Sequence, residues 1–279
     1  MKVFLRVLLI IASLFLLGIG IVLYLVYNSG AESLEVLEER NYDETIDAIE
    51  VQLENARLDI RPSEDATTHF VLSGNSDNYK MNAEVTGGLL TIEVEDRSPL
   101  FHFDFNRSFV VEVFVPASGL SSLTANSDNG RIVVNGIQTD ELWLSTNNGR
   151  LVLDSVGSET IEAETDNGRI EITATQADIN ARSSNGRLVF SEVAGELTAR
   201  TNNGRIELTA ETLDLPIDFE TGNGRIEIQT ETEPANALIE ARVDNGSIDI
   251  YGRDNEATIF GDGDVLIQLL SSNGRITVE

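Results

Sequence analysis

The chain has 279 residues, of which 47 are acidic and 19 basic, giving a net charge of −28 at pH 7. That charge repels nucleic acid and anionic lipid, and the absence of cysteine excludes disulfides and thiolate metal sites. His69 and His102 are the only histidines, and no Ser/His/Asp or His-x-x-Glu cluster appears, so the sequence singles out no catalytic residue, no metal ligand set and no cofactor.

Val7 to Tyr27 is an uncharged run long enough to cross a bilayer core and longer than the apolar region of most cleaved signals. Ser29-Gly30-Ala31 offers a small-residue cleavage site that keeps the signal-peptide alternative open. Residues 1–30 are expected to form a transmembrane anchor with a short cytoplasmic start, embedded through residues 7–27. Lys2 and Arg6 precede the span, and Glu32, Glu35, Glu38 and Glu39 follow it. The positive-inside rule then places the N-terminus in the cytoplasm and the rest of the chain outside the cell membrane. Residues 31–45 are polar and acidic, with Leu34 and Leu37 at helical spacing, and read as a solvated stalk.

From Ile46 onward the pattern is that of strands and Gly/Asn/Asp turns. The segment IEVQLENARLDI opens it, followed by GGLLTIEV and SFVVEVFVP, each alternating as strands do. Between the last two lies PLFHFDFNRSF, whose Phe101, Phe103, Phe105 and Phe109 form a candidate partner patch, with coverage of a solenoid end as the plainer role. A repeat then takes over. Asn129-Gly130, Asn148-Gly149, Asn167-Gly168, Asn185-Gly186, Asn203-Gly204, Asn223-Gly224, Asn245-Gly246 and Asn273-Gly274 recur in one frame, mostly about 20 residues apart, the mark of a repeat architecture. The second residue after each glycine is always Ile or Leu, from Ile132 to Ile276, and the fourth is always apolar, from Val134 to Val278. These alternate with variable residues, so one face is buried and the other wet.

Two architectures fit. Asn-Gly is the favoured type I′ hairpin turn, but a near-constant period with like residues in register is what stacked coils require, and asparagines in register can bond one another up a stack. The expected fold is all-β: a single-stranded, β-helix-like solenoid of about nine or more coils, spanning residues 46–279 behind one N-terminal transmembrane helix. The sequence stops at Glu279, directly after a core strand, which suggests an open final coil able to associate end to end with a second copy.

These residues together resemble a family: the adhesin-like bacterial and archaeal domains of unknown function, DUF4097-like, whose hallmark is tandem T-x-N-G-x-I-x-V repeats behind a membrane anchor. The likeness spans residues 46–279 and includes the entry strand, the stretch from Gly88 to Val94 and the segment from Val111 to Pro116. It implies an extracytoplasmic β-solenoid, in some members tied to cell-envelope stress systems. The arginine that follows the glycine in all but one repeat is more uniform than the family pattern needs.

In a stack, Arg131, Arg150, Arg169, Arg187, Arg205, Arg225 and Arg275 would form a column of like charges needing counter-charges. Asp128, Asp166 and Asp244, or the acids two residues after each arginine, are the candidates. The column reads as a solvated ladder, with an anionic-ligand strip as the sharper alternative. Asp-Asn-Gly and Asp262-Gly263-Asp264 invite a calcium reading but match no calcium loop, and stand as turn chemistry. The expected function is a non-enzymatic, membrane-anchored extracytoplasmic interaction module, adhesin-like or accessory to an envelope system, with an unidentified protein or envelope glycan as partner and no nucleic acid. A surface glycan lyase or hydrolase on a β-helix is the alternative. Such enzymes carry long loops and aromatic platforms, whereas these coils are short and Trp143 is the sole tryptophan.

Overall fold

The computed structural model describes residues 34–64, 67–97, 108–116 and 119–279. The expected span at 7–27 and Phe101, Phe103 and Phe105 of the aromatic patch lie outside these residues. Among the described residues no helix is long and apolar enough to cross a membrane, and all regular structure is strand.

The strands are β1 (Glu35–Tyr42), β2 (Ala48–Leu53), β3 (Arg57–Pro62), β4 (Thr68–Gly74), β5 (Tyr79–Thr86), β6 (Leu89–Asp96) and β7 (Phe109–Val115). Regular coils follow as pairs: β8 (Leu120–Ser127) with β9 (Arg131–Asn135), β10 (Thr139–Thr146) with β11 (Arg150–Asp154), and β12 (Gly157–Thr165) with β13 (Arg169–Thr173). The pairs β14 (Gln176–Ser183) with β15 (Arg187–Ser191) and β16 (Leu197–Thr201) with β17 (Arg205–Ala210) continue the series. β18 (Ile217–Thr230), β19 (Ala237–Ile250) and β21 (Val265–Val278) run unbroken through the turn, and β20 (Ala257–Phe260) lies between the last two.

The two strands around an Asn-Gly do not pair with each other. β8 lies parallel between β2 and β10, and β9 parallel between β3 and β11, which makes the fold a solenoid of stacked coils and rules out the hairpin reading. Like positions meet like positions throughout: Leu142 faces Leu123 and Ile161, and Leu151 faces Ile132 and Ile170. Alternation therefore becomes whole buried rows, with Leu123, Ile132, Leu151, Ile170, Leu188, Ile206, Ile226 and Ile276 fully buried. Small residues offset large ones: Ala181 shares a coil with Phe190, and the Phe190 ring stacks on Phe219 at 5.9 Å between centroids.

The order of the stack departs from the order of the chain at both ends. β2 and β3 sit between β6/β7 and β8/β9. At the other end β21 lies parallel between β18 and β19, and β20 covers Ala237 to Glu240 of β19 in antiparallel fashion. The C-terminal coil is thus internal, which corrects the expectation of an open final coil there; the exposed edge belongs to the part of β19 after its turn. The acidic stalk also needs correction, since residues 35–42 form β1, antiparallel to β4, while β4 lies on β7. An unpaired strand edge outweighs the weak helical spacing of Leu34 and Leu37, and Tyr42 packs tilted against Phe70 at 6.2 Å.

The glycine of each turn is required by its neighbour. Its backbone is not left-handed at Gly149 or Gly274, yet a Cβ on Gly149 would run into the carbonyl oxygen of Gly130 and the hydroxyl of Thr146, and one on Gly274 into the carbonyl of Gly224. Ala56 stands at this position in β2/β3, the coil on which the turn ladder begins. Left-handed backbone occurs instead at a second corner, five residues past the arginine in three consecutive coils, at Ser155, Ala174 and Glu192 (φ 57°, 49° and 53°). Each of these amides donates to the next coil, as Ala174 N does to Ser191 O at 3.0 Å.

These two corners predict opposite outcomes in urea unfolding of the full chain. Gly149→Ala should cost about 3 kcal/mol through overpacking against an immovable backbone. Ala174→Gly should cost nothing or stabilise, because relief of roughly 1 kcal/mol of left-handed strain offsets the added freedom of the unfolded chain.

Candidate functional site

The turns stand one above another along a single ridge. Asn129 Nδ2 donates to Asn55 Oδ1 (2.8 Å), Asn148 to Asn129 (2.9 Å), Asn167 to Asn148 (3.0 Å) and Asn185 to Asn167 (3.0 Å). The chain of bonds continues from Asn203 to Asn185 (2.9 Å), Asn223 to Asn203 (3.0 Å), Asn273 to Asn223 (3.0 Å) and Asn245 to Asn273 (3.1 Å). Each interior amide spends its Nδ2 and its Oδ1 on the coils below and above. Beneath this ladder, Gly130 N donates to Ser127 Oγ (2.8 Å) and Gly149 N to Thr146 Oγ1 (3.1 Å).

Beside the glycines the arginines are in register from Arg131 through Arg225 to Arg275, about 4.8 Å apart along the stack. Ser247 closes the row on β19. Counter-charge comes from acids two residues on. Arg169 meets Glu171 (2.6 Å), Arg205 meets Glu207 (3.1 Å) and Glu227 (3.5 Å), Arg225 meets Glu227 (3.7 Å), and Arg187 reaches across to Glu207. Burial pushes the Glu207 carboxyl up, but hydrogen bonds from Arg187 and Arg205 outweigh it and hold that carboxyl below the usual range. The bond to Glu207 in turn raises the Arg187 guanidinium.

Asp128, Asp166 and Asp244 do not serve the column. Asp128 accepts from Asn147 Nδ2 (3.1 Å), Asp166 from Ser184 Oγ (3.2 Å), and Asp244 pairs with Arg242 (3.4 Å). Asp264 exchanges two bonds with Asn236, its amide donating to Asn236 Oδ1 (3.0 Å) and its Oδ2 accepting from Asn236 Nδ2 (2.9 Å). Among the described residues no three His, Asp or Glu side chains gather as a metal set. Phe109 of the aromatic patch is a core residue, 5% exposed and tilted against Tyr79 at 5.9 Å. His69 stacks on Phe114 at 4.3 Å. The alternation around the turns carried the rows, while the acid at the second position past the arginine, the feature that decides the electrostatics, varies from coil to coil and shows its effect only once the coils are stacked.

The sequence profile of the Toastrack DUF4097 family matches residues 46–279. No curated protein matches the chain. Among solved structures the chain is similar to a candidate adhesin from Bacteroides fragilis NCTC 9343, with TM-score 0.54 and 14% identity over 89% of this chain and 98% of that one. It is also similar to a candidate adhesin from Parabacteroides merdae ATCC 43184 (TM-score 0.47, 13% identity, 90% and 98% covered). A candidate lipid binding protein from Parabacteroides distasonis ATCC 8503 gives TM-score 0.48 and 15% identity, with 87% and 96% covered. At such identities the likeness is one of fold.

The ladder and the column each predict a measurable response. Asn167→Ala severs two amide bonds and should cost about 2 kcal/mol, against about 1 kcal/mol for Asn245→Ala at the ladder's end, by denaturant titration. Glu207, with its folded pKa depressed, contributes stability that is present above the unfolded value near pH 4.3 and is lost as pH falls through the folded value. Unfolding midpoints measured from pH 6 down to about pH 3 should therefore fall more steeply for the wild-type chain than for Glu207→Gln.

Proposed function

The chain belongs to the Toastrack DUF4097 family, and from that footing we propose that it is a non-enzymatic interaction module, held at the cell membrane by residues 7–27 and presenting its solenoid outside, where it engages cell-envelope material. The observation that carries this reading is the ridge itself. A groove lined by Asn, Gly and Arg continues over the turns from Asn129 to Arg205, offering one repeated surface to a linear partner. Glu171 and Glu207, which follow the groove arginines, are committed to them as ion pairs, an arrangement that favours holding a ligand over proton transfer to it. The name borne by the Bacteroides fragilis relative supports adhesion as the setting, and an accessory role in an envelope-stress system fits the anchored geometry proposed here.

The test is crosslinking of the full chain in intact cells, followed by analysis of captured glycan and protein together with an assay for new reducing ends or unsaturated sugars. Capture of envelope material without turnover is the expected outcome. Steady release of reducing ends would make the protein a glycan-processing enzyme, and absence of any capture would reduce it to a spacer.

A further inference from the structure

In a chain whose acids outnumber its bases 47 to 19, arginines end on carboxylates as a rule. Arg40 does so on Glu38, Arg61 on Glu112, Arg182 on Glu164 and Arg200 on Asp218. Arg131 and Arg150, adjacent in the column, form no ion pair among the described residues. The cause is in the sequence. Two residues past them stand Val133 and Val152, side by side in the same register, where neighbouring coils carry Asp59 and Glu171. Those two acids are already held, by Arg57 at 2.9 Å and Arg169 at 2.6 Å. Arg275, the other column member without an ion pair, lies far along the stack between Arg225 and Ser247.

At this point the groove has a distinct chemistry. Its floor is the side-chain-free backbone of Gly130 and Gly149, and one wall is Asn129 and Asn148, each amide bonded once through Nδ2 and once through Oδ1 within the ladder. The other wall is two uncompensated guanidinium groups, with half-buried valine just beyond. We propose that this stretch binds an extended acidic polysaccharide carrying one carboxylate per sugar, laid along the stack axis. Coils rise by about 4.8 Å, so a polymer with a carboxylate roughly every 5 Å sets successive charges on Arg131 and Arg150, each as a bidentate guanidinium pair. Val133 and Val152 take the apolar face of the sugar rings. Asp128 and Asp154 lie on either side of the arginine row and repel polyanions of higher density, such as duplex nucleic acid with one charge per roughly 1.7 Å.

This inference rests on the interaction-module reading and names the ligand class of its groove. The experiment titrates the full chain in neutral detergent with polygalacturonate, with amylose as the uncharged control and polyphosphate as the dense one. Wild type should bind polygalacturonate alone. Arg131→Gln with Arg150→Gln should weaken binding about tenfold or more with an unchanged thermal midpoint, since neither group has an ion pair to lose among the described residues. Arg225→Gln, which removes an arginine already neutralised by Glu227, should change it less than about twofold. Val133→Glu with Val152→Glu restores the acid row, and should abolish binding while leaving stability equal or higher. Equal weakening by Arg225→Gln, equal binding of amylose, or preferential binding of polyphosphate would overturn the assignment. Failure of polygalacturonate to bind while intact cells still yield captured envelope material sinks this inference and spares the interaction module; failure of both sinks both.

Discussion

Every feature of this solenoid depends on how closely one turn lies on the next. The carbonyl of Gly130 occupies the space where a side chain on Gly149 would begin, and the relation recurs up the ridge to Gly274 over Gly224. Only that contact lets strands on both sides of the turn keep sheet spacing at once. The amide ladder, the buried aliphatic rows and the arginine column are then consequences of registration rather than independent devices. Each row places identical chemistry at strand distance, which favours apolar and amide groups and penalises like charges.

The charged row shows how the penalty is managed. Where Glu171, Glu207 and Glu227 follow their arginines, the column becomes a two-row lattice in which Glu207 serves two guanidinium groups. Where valine replaces the acid, the repulsion between Arg131 and Arg150 is left to solvent and to whatever the groove holds. The overall acidity does not remove this local cationic segment, because screening confines exposed charges to within about 10 Å of one another.

Much of this could be read from the chain alone. The rows from Ile132 to Ile276 and from Asn129 to Asn273 are legible because side-chain alternation in a strand has a fixed period, and the repeat multiplies the signal. The order of stacking was not legible, for the same reason: with Ile217, Ile239 and Ile267 occupying one position, any of three coils fits on any other, and only the connections Glu231 to Asn236 and Tyr251 to Asp264 decide. The corner at Ser155, Ala174 and Glu192 is not legible because none of those residues advertises a left-handed backbone. β1 is hidden in the sequence because its partner edge comes from β4, a segment that follows it in the chain.

Placing β21 between β18 and β19 also makes the far end of the stack depend on the strand that comes last of the three. Among the described strands β19 pairs with β20 and β21, and β20 with β19, so both strands enter the sheet by way of the final strand. Growth by adding one coil at a time, open to most solenoids, halts at β18 until Val265–Val278 is available, and the closing region must then settle as a unit. A chain cut short there would lose more than its end, because in the native stack β19 and β20 are held to β18 by way of β21. Quality control of the fold is thereby written into the order of its strands.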